Sequence, residues 1–481
     1  MQRLMKRTIS LVIASAAVAM ALVSCTKEIT VNKEAEKGIN TDGTRTLTIS
    51  IAANATKTDL SSDRKTPVWA EGDQISLNGV TYNVPSEAIG QTNFTLTTTE
   101  TGAITAVYPA AAYQSTEPYF KVSDEQDGSF GCANICVAEA AAGVNTLTFQ
   151  NVTAVFAVAV PSGTTKLTVT SLGKIDATGQ RGTDAADTVA ISTTKTGAAA
   201  NVIIVEKEDK SAFGDSVYVA VAVDPDNGVL LTDLNFDTGS AQGGVSPNYI
   251  KSKGKDPLEY KAVAGYIYTP VLHEYVVVDG KKWATMNVGA TEANPNGLYF
   301  AWGATEVAYE SLTNNVFTFK TGKPASYVYS NGYTGPWTPG NGFADCNTPY
   351  FDNNFYSTSK YKDASSATLE LSDDAANVQW GGSWRMPTKA EFDALASETK
   401  VWDSTNKGYT FGTSPNTIFL PAAGYGYGTD LYDVGDDGYY WSSSLNTDVP
   451  SLAFYLFFVD GSAYTDGFDR YCGLSVRAVS E

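Results

Sequence analysis

WGGSWRMPTKAEFDAL, residues 380–395, packs two tryptophans, a glycine pair, an arginine, a proline and a helix start into sixteen positions. Pro387 precedes Thr388, and Glu391 stands three residues after it, which is the S/T-x-x-E capping box: the hydroxyl accepts an amide proton and the carboxylate reaches back. Phe392, Leu395, Ala396 and Thr399 follow at i, i+3, i+4 and i+7, so one side of a short helix is expected to face a core. The stretch is first a folding signal. Arg385 is expected to pair with a carboxylate or with backbone carbonyls, because a guanidinium fork ties loops well. Trp302, Trp380, Trp384 and Trp441 are expected as large core and rim fillers.

The rest of the chain is less dense. Its 481 residues exceed what one hydrophobic core organises, so several domains are expected. The formal charge of -19 argues against nucleic acid as a partner, since such affinity comes largely from Lys and Arg displacing counterions. The single histidine, His273, narrows metal and acid–base chemistry; it opens HEYVV without the second histidine of a zinc-protease helix and reads as a surface or strand-end residue.

At the amino terminus Arg3, Lys6 and Arg7 precede an apolar run too short for a comfortable span, the pattern of a secretion signal over 1–24. The run ends LVSC, Leu22 to Cys25, which resembles the lipobox of bacterial lipoproteins. That resemblance implies cleavage before Cys25, acylation of that cysteine, and anchoring to the outer membrane through lipid without a span. Residues 25–45 are polar and aperiodic, as a flexible tether would be.

From Thr46 onward short runs alternate with period two: TLTISIAA, TLTFQ at Thr146, VFAVAV at Val155, KLTVT at Lys166, VIIVE at Val202 and VYVAVAV at Val217. Gly, Asp, Asn, Ser and Pro clusters separate them. Two antiparallel β-sandwich modules are expected, over 46–145 and 146–268. After Thr269 the composition changes, and seven of the eight tryptophans lie beyond Lys281. A separate domain over 269–481 is therefore expected.

ATKTDLSSDRKTPVWAEGDQISLNG, AITAVYPAAA and LTFQNVTAVFAVAVPSGTTKLTVTSLG resemble the amino-terminal modules of fimbrillin-like lipoproteins. Their marks are Trp69, Gly72, Asp73 and Ile75 in a W-x-x-G-D-x-I pattern, and Tyr108 with Pro109. The resemblance implies a surface role and a chain that, if it polymerises with other fimbrial subunits, is trimmed at an arginine; Arg45 and Arg64 stand in suitable positions. KWATMNVGA, YFAWGATE, DDAANVQWGGSWRMPTKAEFDAL, IFLPAAGYGYG, GYYWSSS and YCGLSVRAV, in this order, resemble the FISUMP (major paralogous) domain, related to the C-type-lectin and formylglycine-generating-enzyme fold. The fold class this implies is mainly β and multidomain, two sandwiches followed by an α+β C-type-lectin-like domain with a closing strand.

The activities of those relatives do not transfer with the fold. The E-P-N, Q-P-D and W-N-D motifs of calcium lectins are absent from the sequence, and Cys472 has no close cysteine partner. Cys346 and Cys472 are a candidate disulfide, and Cys132 and Cys136 either pair or stay reduced; four thiols permit three connectivities. Asp433, Asp436, Asp437 and Trp441, in YDVGDDGYYW, form a candidate ligand surface, for calcium or sugar, against the alternative of a solvated turn. No cofactor, metal or catalytic residue is expected. Three functions stay open: a lipid-anchored, non-enzymatic surface protein acting in adhesion or fimbrial assembly; a lipoprotein that captures glycan or peptide; and an enzyme of formylglycine-generating type.

Overall fold

The computed structural model describes residues 39–51, 59–60, 67–115, 120–123, 125–171, 177–179, 202–222, 230–252, 262, 266–329, 336–347 and 360–481. Cys25 and Arg64 lie outside them, as do the secretion signal and most of the tether. The architecture is mainly β, with several sheets in successive modules.

In the first module β1 (Arg45–Ile51), β2 (Gln74–Leu77), β3 (Val80–Asn83), β4 (Asn93–Thr98), β5 (Ile104–Tyr108), β6 (Cys136–Ala140) and β7 (Thr146–Asn151) form one sheet of order β3-β2-β5-β6-β7-β1-β4. β1 runs parallel to β7 and antiparallel to β4. Leu47, Ile49 and Ile51 point into the core while Thr46 and Thr48 face out, the two-residue period of the sequence made physical. Trp69 fills that core edge-on to Phe94, Tyr108 and Phe149, at centroid distances of 5.2, 5.8 and 5.9 Å. Gly72 takes φ +85°, and Asp73 accepts the Ala70 amide at 2.7 Å and the Tyr108 hydroxyl at 2.9 Å. The W-x-x-G-D pattern thus ties a turn to the tryptophan's own neighbour.

Arg45 opens β1 with its side chain fully buried. The guanidinium donates to the carbonyls of Gly102 at 2.7 Å and Ala141 at 3.1 Å, to that of Val144, and to Asn145 Oδ1 at 3.1 Å. It fastens the strand to the loops at that end of the sheet.

The second module contains β8 (Thr153–Ala159), β9 (Lys166–Thr170), β10 (Val202–Glu206), β11 (Ser216–Ala222), β12 (Asn235–Asp237), β13 (Ala241–Gly244), helix α1 (Pro247–Ser252) and β14 (Ile267–Tyr268). The runs at Val155, Lys166, Val202 and Val217 are strands here, whereas TLTFQ at Thr146 is β7 of the first sheet. An aliphatic cluster that includes Val107, Val137, Val152, Val155 and Ala220 joins this module to the first.

Beyond it come β15 (Val271–Val278), β16 (Lys281–Asn287), β17 (Tyr299–Phe300), β18 (Tyr309–Thr313), β19 (Val316–Phe319), α2 (Ala375–Trp380) and α3 (Lys389–Ser397). They are followed by β20 (Lys400–Asp403), β21 (Gly408–Thr413), β22 (Asn416–Pro421), β23 (Tyr425–Tyr427), β24 (Asp430–Tyr432), β25 (Asp437–Leu445), β26 (Leu452–Val459), β27 (Ser462–Asp469), β28 (Leu474–Ser475) and β29 (Arg477–Ser480). The central sheet has order β17-β28-β25-β26-β27. One of its faces carries Tyr440, Leu456 and Phe458, which pack with Phe392 and Leu395 of α3 and with Trp283. The other carries Trp441, Ala453 and Tyr455, packed with Trp302, Trp380 and Trp384. Burying a side chain of this size contributes about 2–3 kcal/mol, so the tryptophans dominate the local core. β29 closes on β16, pairing Trp283 with Val479.

The capping box forms: Glu391 N donates to Thr388 Oγ1 at 3.3 Å and Thr388 N donates back to Glu391 Oε2 at 2.8 Å. Phe392, Leu395 and Ala396 are buried as the periodicity predicts, but the helix ends at Ser397 with Glu398 as its C-cap. Thr399 therefore lies beyond it, and the run continues into β20.

A sheet also crosses the expected boundary at residue 269. β15 pairs through its first half with β13, matching Gln242 to His273, and through its second half with β16, matching Trp283 to Val276. The resulting order is β29-β16-β15-β13-β12-β9-β10, with Glu125–Gln126 beside β10. One strand therefore belongs to two modules at once.

Candidate functional site

The WGGSW stretch is the side-chain half of that junction. Asp374 caps α2 by accepting the Asn377 amide at 3.1 Å, and it also accepts the Met386 amide at 2.8 Å, so it holds both ends of the loop. Burial pushes its carboxyl up to about 6, against the lowering effect of those amides. Gly381 and Gly382 end α2 at φ +70° and +61°. A Cβ on Gly382 would lie 2.7 Å from the carbonyl carbon of Gly243, and one on Gly244 would lie 2.4 Å from Gly382 N. Only glycine permits this approach of two backbones.

Polar contacts then fix it. Ser383 donates through its amide and hydroxyl to Asn235 Oδ1 at 3.2 and 3.0 Å, Trp384 Nε1 donates to Gln242 O at 2.8 Å, and Ser246 Oγ donates to Val378 O at 2.8 Å. Lys282 Nζ reaches Asp237 Oδ2 at 2.7 Å, and the Tyr275 hydroxyl reaches its other oxygen at 3.1 Å. His273 stacks on Trp380 at 3.8 Å and 15° between planes, and burial lowers its pKa to about 4. It is a half-buried, neutral packing residue near the start of β15 at the junction. Arg385 behaves as the sequence suggests, donating to both Glu391 oxygens at 2.8 and 2.7 Å and to Glu481 at 2.9 Å.

The candidate ligand surface is only partly brought together. Asp433 sits at φ +57° after β24, and its carbonyl accepts the amides of Asp436 at 3.1 Å and Asp437 at 3.0 Å, so the three acids share one tight turn. The Tyr439 hydroxyl lies 3.2 Å from Asp433 Oδ2 and 3.4 Å from Asp437 Oδ2. Burial raises the Asp437 carboxyl, and the neighbouring Asp433 and Asp436 add to that. Asp436 projects into solvent.

Trp441 is the exception. It is fully buried, with its indole N–H donating to Phe300 O at 2.8 Å, and it lies beneath the surface rather than on it. The exposed rings near the acids are tyrosines that the linear motif does not contain or does not mark: Tyr432 in β24, Tyr427 in β23 and Tyr464 in β27. For Tyr464 the signal is the alternation of aromatics in AFYLFFV and SAYTDGF, which is placed only once the β26–β27 register is known.

Cys346 and Cys472, the candidate disulfide, are each a buried free thiol, and they sit in different hydrophobic clusters. Cys136 is likewise buried and free, and the side chain of Cys132 lies outside the described residues. Burial pushes all three described thiols up, which keeps them protonated and weakly nucleophilic. Among the described residues no group of three His, Cys, Asp or Glu side chains is placed to hold a metal ion, and no helix is long and apolar enough to cross a membrane.

The chain is thus a mainly β protein of several modules, with its polar detail concentrated at a junction and an acidic, tyrosine-rich face. No family model matches it, and no curated protein does. Among solved structures, it is similar to a candidate cell adhesion protein from Bacteroides uniformis at 12% identity, over 48% of this chain and 93% of that one, with a TM-score of 0.27. A candidate cell adhesion protein from Bacteroides ovatus shares 14% identity over 49% of this chain and 99% of its own, with a TM-score of 0.26. A candidate adhesin from the same species shares 11% over 51% and 95%, with a TM-score of 0.25. At these scores the likeness bears neither on how the modules assemble nor on function.

Proposed function

We propose that this chain is a bacterial surface lipoprotein of adhesive, non-enzymatic function, anchored in the outer membrane through acyl chains on Cys25. Fimbrillin-like sandwich modules form its stalk, and a FISUMP domain of C-type-lectin-like fold is displayed outermost. The observation that carries this reading is the junction: a shared strand and the WGGSW loop hold the terminal domain rigidly on the module before it. A stiff mount suits a head that must be presented at a distance and bear load.

The test is made in the cells that produce the protein. Globomycin should block processing, the mature amino terminus should be an acylated Cys25 by mass spectrometry, intact cells should label, and deletion should lower adherence. A mature chain without fatty acid, or adherence unchanged by deletion, would overturn it. The exposed tyrosines favour one further reading, capture of a glycan or peptide as nutrient. Glycan-array binding lost in Asp436→Ala and Tyr432→Ala would support that reading, and growth on the captured compound unchanged by deletion would count against it.

A further inference from the structure

β4 ends the first sheet, and its pairing with β1 tells which of its backbone groups face outward. Ile51 N donates to Thr92 O at 3.2 Å, and antiparallel pairs alternate between hydrogen-bonded and open, so Phe94, Leu96 and Thr98 turn their amides and carbonyls toward β1. Asn93, Thr95 and Thr97 turn theirs toward the free edge, and all three are exposed. Among the described residues no strand pairs with that edge.

Elsewhere the longer edge strands are guarded. β11 is as free of charge as β4, but the Gln126 side chain exchanges hydrogen bonds with the Ala220 backbone at 2.9 and 2.8 Å, and Gly128 O accepts the Tyr218 amide at 3.0 Å. β22 ends in Pro421 and packs with β15. β27 carries Asp466 and Asp469, and β20 carries Lys400 and Asp403. Charge, proline and covering groups are how an edge avoids pairing with another chain. NFTLTT, residues 93–98, has neither charge nor proline, and it pairs with β1 without a bulge along its whole length.

Backbone groups accept any extended strand, and side chains select among them. On the inner face Leu96 is only partly buried against the core, so the best occupant brings an apolar side chain there and neutral polar ones outside. A second copy of β4 does this when a twofold axis passes through Thr95: Phe94 of each copy then stands opposite Leu96 of the other, and Asn93 opposite Thr97. The outward groups of Asn93, Thr95 and Thr97 then make about six hydrogen bonds across the seam. No like charges meet there, which matters in a chain of formal charge -19. We propose that two copies of this protein pair antiparallel through β4, joining their first sheets into one. The seam is small, so the dimer forms at about 10–100 µM. The inference concerns assembly and stands whether or not the protein is adhesive.

The experiment is sedimentation equilibrium of the full mature chain, carrying Cys25→Ser so that no acyl group drives association, from about 1 to about 300 µM. A monomer–dimer equilibrium is expected. Thr95→Pro deletes an amide that β1 does not use and should weaken the dimer about tenfold. Thr95→Lys and Thr95→Asp, which keep the backbone, each set like charges face to face on the axis and should weaken it about fivefold, whereas the two variants mixed should pair as tightly as the parent. Thr146→Lys, an equal change of charge on the same sheet but two strands in from the edge, should leave the equilibrium unaltered. A parent that stays monomeric throughout, whatever other strand its edge accepts, overturns the inference. So does a dimer indifferent to Thr95→Pro and Thr95→Lys, or a lysine and aspartate mixture that fails to pair while each variant alone dissociates.

Discussion

The two junctions of this molecule both contain strand pairing but differ in what surrounds it. Between the first and second modules an aliphatic cluster of Val107, Val137, Val152, Val155 and Ala220 surrounds a short pairing of Glu125–Gln126 with β10, and the Gln126 side chain exchanges hydrogen bonds with the Ala220 backbone at 2.9 and 2.8 Å. Between the second module and the terminal domain the contact is backbone pairing, two glycines in contact, and side chains that donate across the seam. Apolar burial is strong and non-directional, so at the first joint the cluster supplies most of the cohesion and leaves the angle to the few hydrogen bonds that cross it. Hydrogen bonds weaken steeply when misaligned, so the second joint fixes geometry more than it adds stability. One chain thus holds in series a joint weighted toward cohesion and an indexed joint weighted toward geometry.

Charging the first joint should have the largest effect. Val155→Asp places a carboxylate at a site with no exposure, and we expect a loss of roughly 4 kcal/mol, read as a lower urea midpoint for the first two modules together. An unchanged midpoint would show that the cluster does not join them. Next is Gly382→Val, which brings a branched side chain against the Gly243 backbone and into a positive φ; about 3 kcal/mol should be lost. Here the terminal domain should melt separately from the second module, and a single shared transition would refute the indexed joint.

Trp384→Phe removes the indole N–H that bonds the Gln242 carbonyl and leaves a small void at a fully buried site, so a cost of about 2–3 kcal/mol is expected in the same melts. The smallest effect concerns acid. Burial pushes the Glu391 carboxyl up, but Arg385 and Thr388 outweigh it and hold it at about 2, below its ordinary 4.5. Its contribution is complete above the ordinary value and is lost as pH falls toward 2; discounted for solvent, it amounts to about 1 kcal/mol. Asp374 has the opposite sign, since its raised pKa makes ionisation costly as pH climbs from 3.8 through about 6. Glu391→Gln should therefore flatten the acid limb of the stability curve, and Asp374→Asn should raise stability above pH 6 relative to pH 4. If both variants keep the parent's profile, neither group titrates as described.

The part of this organisation that lies in side-chain pattern was legible in advance. The strand runs, the Thr388–Glu391 box, the core role of Trp69 and the pairing of Arg385 with an acid are local or periodic features, and the structure has each of them. The shared sheet was not legible, because pairing of β13 with β15 is made by backbone groups that every residue carries. Nor was the purpose of Gly381 and Gly382, which depends on a second glycine pair at Gly243 and Gly244, far away in sequence. At the candidate site the three acids share one turn, as their spacing in sequence implies, whereas Trp441 is buried: its neighbour Tyr440 faces α3, and the strand alone does not say how deep the opposite face lies. Tyr432 and Tyr464 required three strands to be set in register.

Arg45 carries a mechanical consequence. A pull on the chain ahead of Ile39 first opens the small turn around Asn40 and Thr44. It then meets a guanidinium locked under loop carbonyls and a strand held on both sides by β4 and β7. Bonds lying across the direction of tension share it and must fail together, so the first strand among the described residues is also a mechanical clamp, and a protease seeking that arginine would find it only after the load had already won.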